Sequence, residues 1–182
     1  MSKAKGKPAS IEEVQGLIQS IKDTKEALNG DQRLAKAKFK AEIFINQLKD
    51  LNNAQRVDSI KQANDTDNLK DLSQIVSTAS DLNNSMSELK AKLKETVNPV
   101  KSSINYINAD YDLKRQFNKA IKDAREALSK SKGANLNERD IQGLSQAIDS
   151  TKDALNGEQR LAEAKEKSKQ FIKTMSFSFC DF

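Results

Sequence analysis

The sequence predicts an all-α protein of tandem three-helix bundles, joined by shared long helices into an elongated rod. Its 182 residues are 31% charged and include only 6 glycines and 2 prolines. This composition, with a mean hydropathy of −0.74, favours helices over sheets. Apolar residues recur every three or four positions in several segments. One long segment also occurs twice, which is typical of repeat architectures.

The repeat has an offset of 127 residues, the distance from Gly30 to Gly157 (157 − 30). "VQGLIQSIKDTKEALNG", ending at Gly30, aligns with "IQGLSQAIDSTKDALNG", ending at Gly157. The similarity stops after Met175, where the chain ends in "SFSFCDF". We interpret residues 176–182 as a cloning-derived or frame-derived tail, and a native hydrophobic tail is the alternative.

The first three helices follow from local signals. Ser10-x-x-Glu13 fits a capping box and predicts a helix to Leu28 that stops at Asn29-Gly30. The next helix carries an apolar stripe with spacings of three and four residues: Leu34, Ala37, Ala41, Phe44, Leu48 and Leu51. After the break "LNNAQ", a short helix carries Val57, Ile60 and Ala63.

A long helix is predicted over residues 67–97, closed by Asn98-Pro99. Its apolar face changes along its length, from the set Leu69, Leu72, Val76 and Ala79 to the set Leu82, Met86, Leu89 and Leu93. Two successive bundles are therefore expected to share this helix.

The remaining helices complete the second bundle. After "INYINAD", where Asn108 or Asp110 is a candidate cap, one helix carries Leu113, Phe117, Ile121, Ala124 and Leu128 and ends by Gly133. Asn137 caps the next helix, which carries Ile141, Leu144, Ile148 and Leu155 and stops at Asn156-Gly157. The last helix follows to about Thr174. Short connections between helices predict antiparallel neighbours.

The residue inventory argues against an enzyme. There is no histidine, and the sole cysteine is Cys180, so His-based triads, Cys/His zinc sites and an intramolecular disulfide are excluded. We predict no catalytic residue, no cofactor and no metal. The net charge of +5 comes from cations interleaved with acids, so no nucleic-acid partner is expected. No apolar run is long enough for membrane insertion.

Two parts of the chain resemble known modules. Tyr106 to Gly157 resembles a FIVAR module, and Gln32 to Met86 resembles the GA module that alternates with it. This alternation, together with "ALNG(D/E)QRLA", resembles the repeat region of giant staphylococcal extracellular matrix-binding adhesins. The resemblance implies a truncated FIVAR module (1–30), a GA module (31–95), a FIVAR module (80–157) and the first helix of a truncated second GA module (158–175). The truncated terminal helices are then expected to fray or to pair between chains.

The resemblance also implies a function: a non-enzymatic unit of a bacterial surface adhesin in the cell wall, which binds host fibronectin and supports attachment and biofilm accumulation. The alternative is a structural spacer with no ligand of its own. GA modules elsewhere bind albumin through an apolar, aromatic-bearing surface. The corresponding segment here, Ala54 to Gln74, is polar and lacks aromatics, so albumin binding is not expected.

Four residues are candidates for partner binding. Phe39 and Ile43 lie opposite the apolar stripe of their helix, where the second copy has Glu166 and Gln170. They form either an exposed contact patch or a packing surface for a neighbouring bundle. Tyr106 and Tyr111 bracket "INAD" and either contact a partner or lock the turn over the end of the bundle.

Overall fold

The computed structural model describes residues 10–178 of the chain, which form helices and turns and no strand. The helices are α1 (Ile11–Ala27), α2 (Gly30–Gln47), α3 (Asn53–Asp65), α4 (Leu69–Ser102), α5 (Ile104–Ile107), α6 (Tyr111–Ala127), α7 (Glu138–Asp153) and α8 (Gly157–Ser178). The predicted all-α fold class is confirmed. Of the predicted tail, residues 179–182 with Cys180 lie outside the described residues.

Two three-helix bundles share α4. Its first half packs with α2 and α3, and its second half packs with α6 and α7. The core runs continuously through both bundles. Its largest fully buried apolar side chains are Ile45, Leu51, Met86, Leu89, Phe117, Ile141 and Ile148. The change of apolar face along α4 therefore reflects two successive sets of partners, as the sequence predicts.

The shared helix ends later than predicted. α4 continues through Pro99 to Ser102, whereas the sequence predicts residues 67–97. Proline cannot donate a backbone hydrogen bond, which weakens a helix at that position. The helix continues past Pro99 because Val97 is buried and Val100 packs against the core. The hydroxyl of Ser102 also donates to the carbonyl of Asn98. At about 1.5 Å per residue, this 34-residue helix is about 50 Å long.

Three predicted core positions are wrong: Phe44, Val57 and Leu69, of which Leu69 is 42% exposed at the first residue of α4. Phe44 is 39% exposed, while the neighbouring Ile45 is fully buried, because Ile45 lies four residues after the buried Ala41 and continues its face. In α3, the predicted core residue Val57 is 66% exposed, whereas the polar residue Gln55 is buried. A buried glutamine is tolerated because its amide is hydrogen-bonded to Leu136 O.

Local capping signals were reliable predictors. Ser10 and Asn137 each form a capping box with the residue three positions on. Asp110 precedes α6, although its side chain makes no capping hydrogen bond. The four-residue α5 was not predicted, since it is shorter than one full period of any apolar pattern.

The two copies of the repeated segment have different surroundings. In α7, Ile141 and Ile148 are 1% and 0% exposed, because α7 packs between α4 and α6. Their equivalents in α1, Val14 and Ile21, are 44% and 68% exposed, and α1 buries no residue. The same amphipathic pattern therefore forms a core helix in one copy and a solvated helix in the other.

Candidate partner-binding surfaces

A buried polar network joins the two bundles. Asn52 is fully buried and caps α3 by accepting from Gln55 N at 2.9 Å. Its Nδ2 donates to Ala127 O at 3.2 Å and to Ala134 O at 2.9 Å, both beside or within the α6–α7 loop. Because an unpaired buried carbonyl is costly, these hydrogen bonds fix the second bundle against the first.

The α6–α7 loop is held at two further points. A Cβ on Gly133 would lie 2.5 Å from both Asn52 Nδ2 and Ala127 O, so only glycine fits there. Lys130 Nζ donates to Lys49 O and to Leu51 O, the latter at 2.9 Å. Partial burial of this ammonium lowers the pKa of Lys130, and the carboxylate of Asp50 opposes that shift.

A second joint attaches α8 to the α5 turn. Asp110 N donates to Asn156 Oδ1 at 3.1 Å, and Asn156 Nδ2 donates back to Asp110 Oδ2 at 2.6 Å. A Cβ on Gly157 would lie 2.7 Å from Ala109 N and closer still to Asn105 O. Arg160 completes the joint with an ion pair to Asp110 at 3.0 Å. In its second copy, the repeated "ALNG(D/E)QR" therefore docks the start of α8 against the turn before α6.

Tyr106 is a packing residue in this turn. Its ring lies edge-on to Phe117, with centroids 6.0 Å apart and an interplanar angle of 65°. Its hydroxyl accepts from Asn118 Nδ2 at 2.8 Å, and Lys114 Nζ lies 5.8 Å from the ring centroid. These contacts leave Tyr106 half-buried.

Three exposed apolar side chains lie close together in the sequence, two on α5 and one at the first residue of α6. Tyr111 is 78% exposed, and Ile104 and Ile107 are 54% and 57% exposed, although α8 packs against α5. We refer to Ile104, Ile107 and Tyr111 as the turn patch. Exposed apolar side chains held on a fixed turn are typical of protein-binding surfaces.

Phe39 and Ile43 form a second exposed apolar surface, here termed the α2 patch. They are 66% and 44% exposed, as expected for the face of α2 opposite its core stripe. The structure does not bring them together with Tyr106 and Tyr111, which lie on the α4–α6 connection. The four predicted residues therefore lie on two different surfaces.

Two classes of site are not found in the part of the chain that the structure describes. Residues 10–178 contain no group of three or more His, Cys, Asp or Glu side chains that could hold a metal ion. None of the helices in that range is long and apolar enough to cross a membrane.

Comparison with known proteins identifies both bundles. Residues 31–85 match the GA module and residues 85–156 match the FIVAR domain. Over 168 residues the chain is 36% identical to the extracellular matrix-binding protein EbhA of Staphylococcus aureus strain Newman. The chain is homologous to the staphylococcal extracellular matrix-binding proteins.

The match to these homologues covers most of this chain but little of theirs. It spans 92% of the chain and 5% of EbhA from strain Newman. Against Ebh of Staphylococcus aureus strain MW2, the identity is 37% over 92% of the chain and 2% of that protein. The chain is thus a short FIVAR–GA segment by comparison with either relative.

Two solved structures share the fold. A crystal structure of the 756–1003 domain of Staphylococcus aureus EbhA superposes with a TM-score of 0.81 and 29% identity, covering 88% of this chain and 66% of that one. A structure from work on Embp-mediated adherence of Staphylococcus epidermidis to fibronectin gives a TM-score of 0.61 and 26% identity. It covers 69% of this chain and 98% of that one.

In module terms, the α2 patch lies in the GA module and the turn patch lies in the FIVAR domain. Sequence reasoning identified Tyr111 but missed Ile104 and Ile107. The signal for them was the Ile-x-x-Ile spacing in "INYI", which places two apolar side chains three residues apart in a single turn.

Proposed function

We propose that this chain is a non-enzymatic, fibronectin-binding repeat unit of a bacterial cell-surface adhesin that supports attachment and biofilm accumulation. The observation that carries the proposal is its similarity to the Embp structure from work on adherence to fibronectin, 98% of which is covered by this chain. The homologues are extracellular matrix-binding proteins. Location in the bacterial cell wall is part of the same proposal.

The turn patch is the favoured contact surface. Tyrosine is enriched among residues that dominate interface energies. Tyr111 follows two exposed isoleucines in the sequence, and the second joint holds the backbone of the preceding residue, Asp110. The α2 patch is the second candidate. It is less suited to a ligand shared by every repeat, because the equivalent positions in α8 are Glu166 and Gln170.

Weak binding by one unit is compatible with strong adhesion. When many modules sit on one chain, each additional contact forms at a high effective concentration, so avidity exceeds the affinity of any single site. A modest apolar patch such as Ile104, Ile107 and Tyr111 can then contribute to attachment.

Albumin is not proposed as a ligand. In this chain the α6–α7 loop lies across the cleft between α3 and α4, where Asn135 to Glu138 line one wall of a cavity of about 310 Å³. Gln55 Nε2 donates to Leu136 O at 2.9 Å. The FIVAR domain thus covers part of the cleft between α3 and α4 of the GA module, which supports leaving albumin out of the proposal.

A spacer is the alternative function. Both the shared α4 and the buried Asn52 network favour a stiff rod, which could simply project other domains. The test is a titration of the purified chain against fibronectin, with albumin in parallel, at several salt concentrations. Saturable binding to fibronectin alone is expected. Binding to neither protein would favour the spacer, and binding to albumin alone would mean that the GA face is functional.

A further inference from the structure

A basic groove lies on the FIVAR domain, away from the turn patch. It runs between the end of α4, the second half of α6 and the α6–α7 loop, and it has a volume of about 720 Å³. We call it the α4–α6 groove. Its lining residues include Lys101, Asn118, Ile121, Arg125, Ser129 and Lys132.

The charges of this groove are poorly balanced. Four cations line it, the fourth being Lys122, against one carboxylate, Glu126. Glu126 is already paired with Lys122 at 3.5 Å. No ion pair within the described residues involves Lys101, Arg125 or Lys132. Elsewhere on α6, by contrast, Lys119 pairs with Asp123. The groove therefore presents cations with no internal counterion.

One lining residue of the groove has an unmet hydrogen-bond acceptor. Asn118 Nδ2 is committed to Tyr106 Oη, but Asn118 Oδ1 is buried and has no hydrogen-bond partner in the described part of the chain. A buried acceptor without a hydrogen bond lowers the stability of the folded chain, and a hydrogen bond from a ligand donor would remove that penalty. Ile121, another lining residue, adds an apolar side chain that is 3% exposed.

The loop side of the groove is held in place. Gly133 N donates to Ser129 O at 2.9 Å, and Lys132 N donates to Ser129 Oγ at 3.3 Å. Gly133 itself is confined between Asn52 and Ala127. The backbone of Lys132 is consequently fixed before any ligand arrives, which lowers the ordering cost of binding.

We propose that the α4–α6 groove binds an acidic peptide segment of a protein partner in an extended conformation. Carboxylates of the segment pair with Lys101, Arg125 and Lys132. The side chain of Asn118, whose Oδ1 is buried in the free chain, turns towards the segment and accepts from one of its backbone N–H groups. A polyphosphate chain would satisfy the cations, but it has no comparable donor for this carbonyl oxygen. The site uses none of the residues proposed for fibronectin binding, so either proposal can fail without the other.

The test measures binding of fluorescein-labelled decaglutamate to the full chain by fluorescence anisotropy at low ionic strength. The groove variant is Arg125→Gln/Lys132→Gln. The matched control is Lys165→Gln/Lys167→Gln, which removes the same charge from the exposed face of α8. Circular dichroism confirms that both variants remain helical.

The groove variant is expected to bind decaglutamate about fivefold more weakly, and the control less than about twofold. Asn118→Ala should also weaken decaglutamate binding while leaving inorganic polyphosphate unaffected. Equal losses in the groove variant and the control would overturn the proposal, since only net charge would then matter. Absence of decaglutamate binding, with or without polyphosphate binding, would also overturn it.

Discussion

Asn156 and Asp110 form a reciprocal pair in which the backbone N–H of Asp110 donates to Asn156 Oδ1 and Asn156 Nδ2 donates to Asp110 Oδ2. The pair connects the start of α8 to the turn before α6, 46 residues earlier. Its equivalent in the first copy, Asn29, makes no side-chain capping hydrogen bond. The repeated "ALNG" thus has a tertiary role that is visible in only one of its two copies.

The first prediction compares the two glycines of that motif. Neither has a positive φ, so any difference between them is steric. Gly157→Ala places a Cβ against Asn105 and Ala109 backbone and should destabilise the chain by about 1–3 kcal/mol in urea unfolding. Gly30→Ala meets nothing within 4 Å and should change stability by no more than about 0.5 kcal/mol. Equal losses of stability in the two variants would show that the close contacts of Gly157 do not stabilise the second joint.

The second prediction concerns the network between the bundles. Asn52→Ala removes a helix cap and the buried donor to the carbonyls of Ala127 and Ala134, of which Ala134 O keeps its bond from Leu136 N. We therefore expect a loss of about 2–4 kcal/mol. The control is Asn68→Ala, which removes an exposed cap on α4 and an exposed hydrogen bond to Asp71 and should cost about 1 kcal/mol. Similar losses in thermal unfolding would show that the carbonyl contacts add nothing.

The third prediction uses two isoleucines related by the repeat. Ile148→Ala creates a cavity in the core and should cost about 2–5 kcal/mol in chemical denaturation. Ile21→Ala alters an exposed side chain and should change stability by about 0.5 kcal/mol or less. A large loss for Ile21→Ala that depends on protein concentration would instead support the pairing of terminal helices between chains.

The fourth prediction separates the α2 patch from folding. Phe39→Glu/Ile43→Gln copies the residues of α8 and should leave the free energy of unfolding within about 0.5 kcal/mol of the parent, because both side chains are exposed. Fibronectin binding should fall only slightly if the turn patch is the main contact. A complete loss of binding in a biosensor assay would move the site to the α2 patch.

The sequence correctly predicted those features that depend on residues close together along the chain. The capping box at Ser10, the cap at Asn137 and the changing face of α4 needed only residues within or next to one helix. Phe44 and Val57 were misplaced because apolar spacing does not show which of two adjacent faces meets a neighbouring helix. The partners of Asn52 lie 75 and 82 residues away, so no local pattern could predict them. Of the three turn-patch residues, the sequence analysis identified Tyr111 but not Ile104 or Ile107.

The central claim, that this chain binds fibronectin through the turn patch, is tested most directly by a biosensor titration on immobilised fibronectin. The parent chain is compared with Ile107→Ser/Tyr111→Ser, and Gly30→Ala serves as a control remote from the patch. We predict saturable binding by the parent and the control, and a loss of about tenfold in affinity for the patch variant. Binding by the patch variant at parental affinity, or no binding by the parent chain, would contradict the claim.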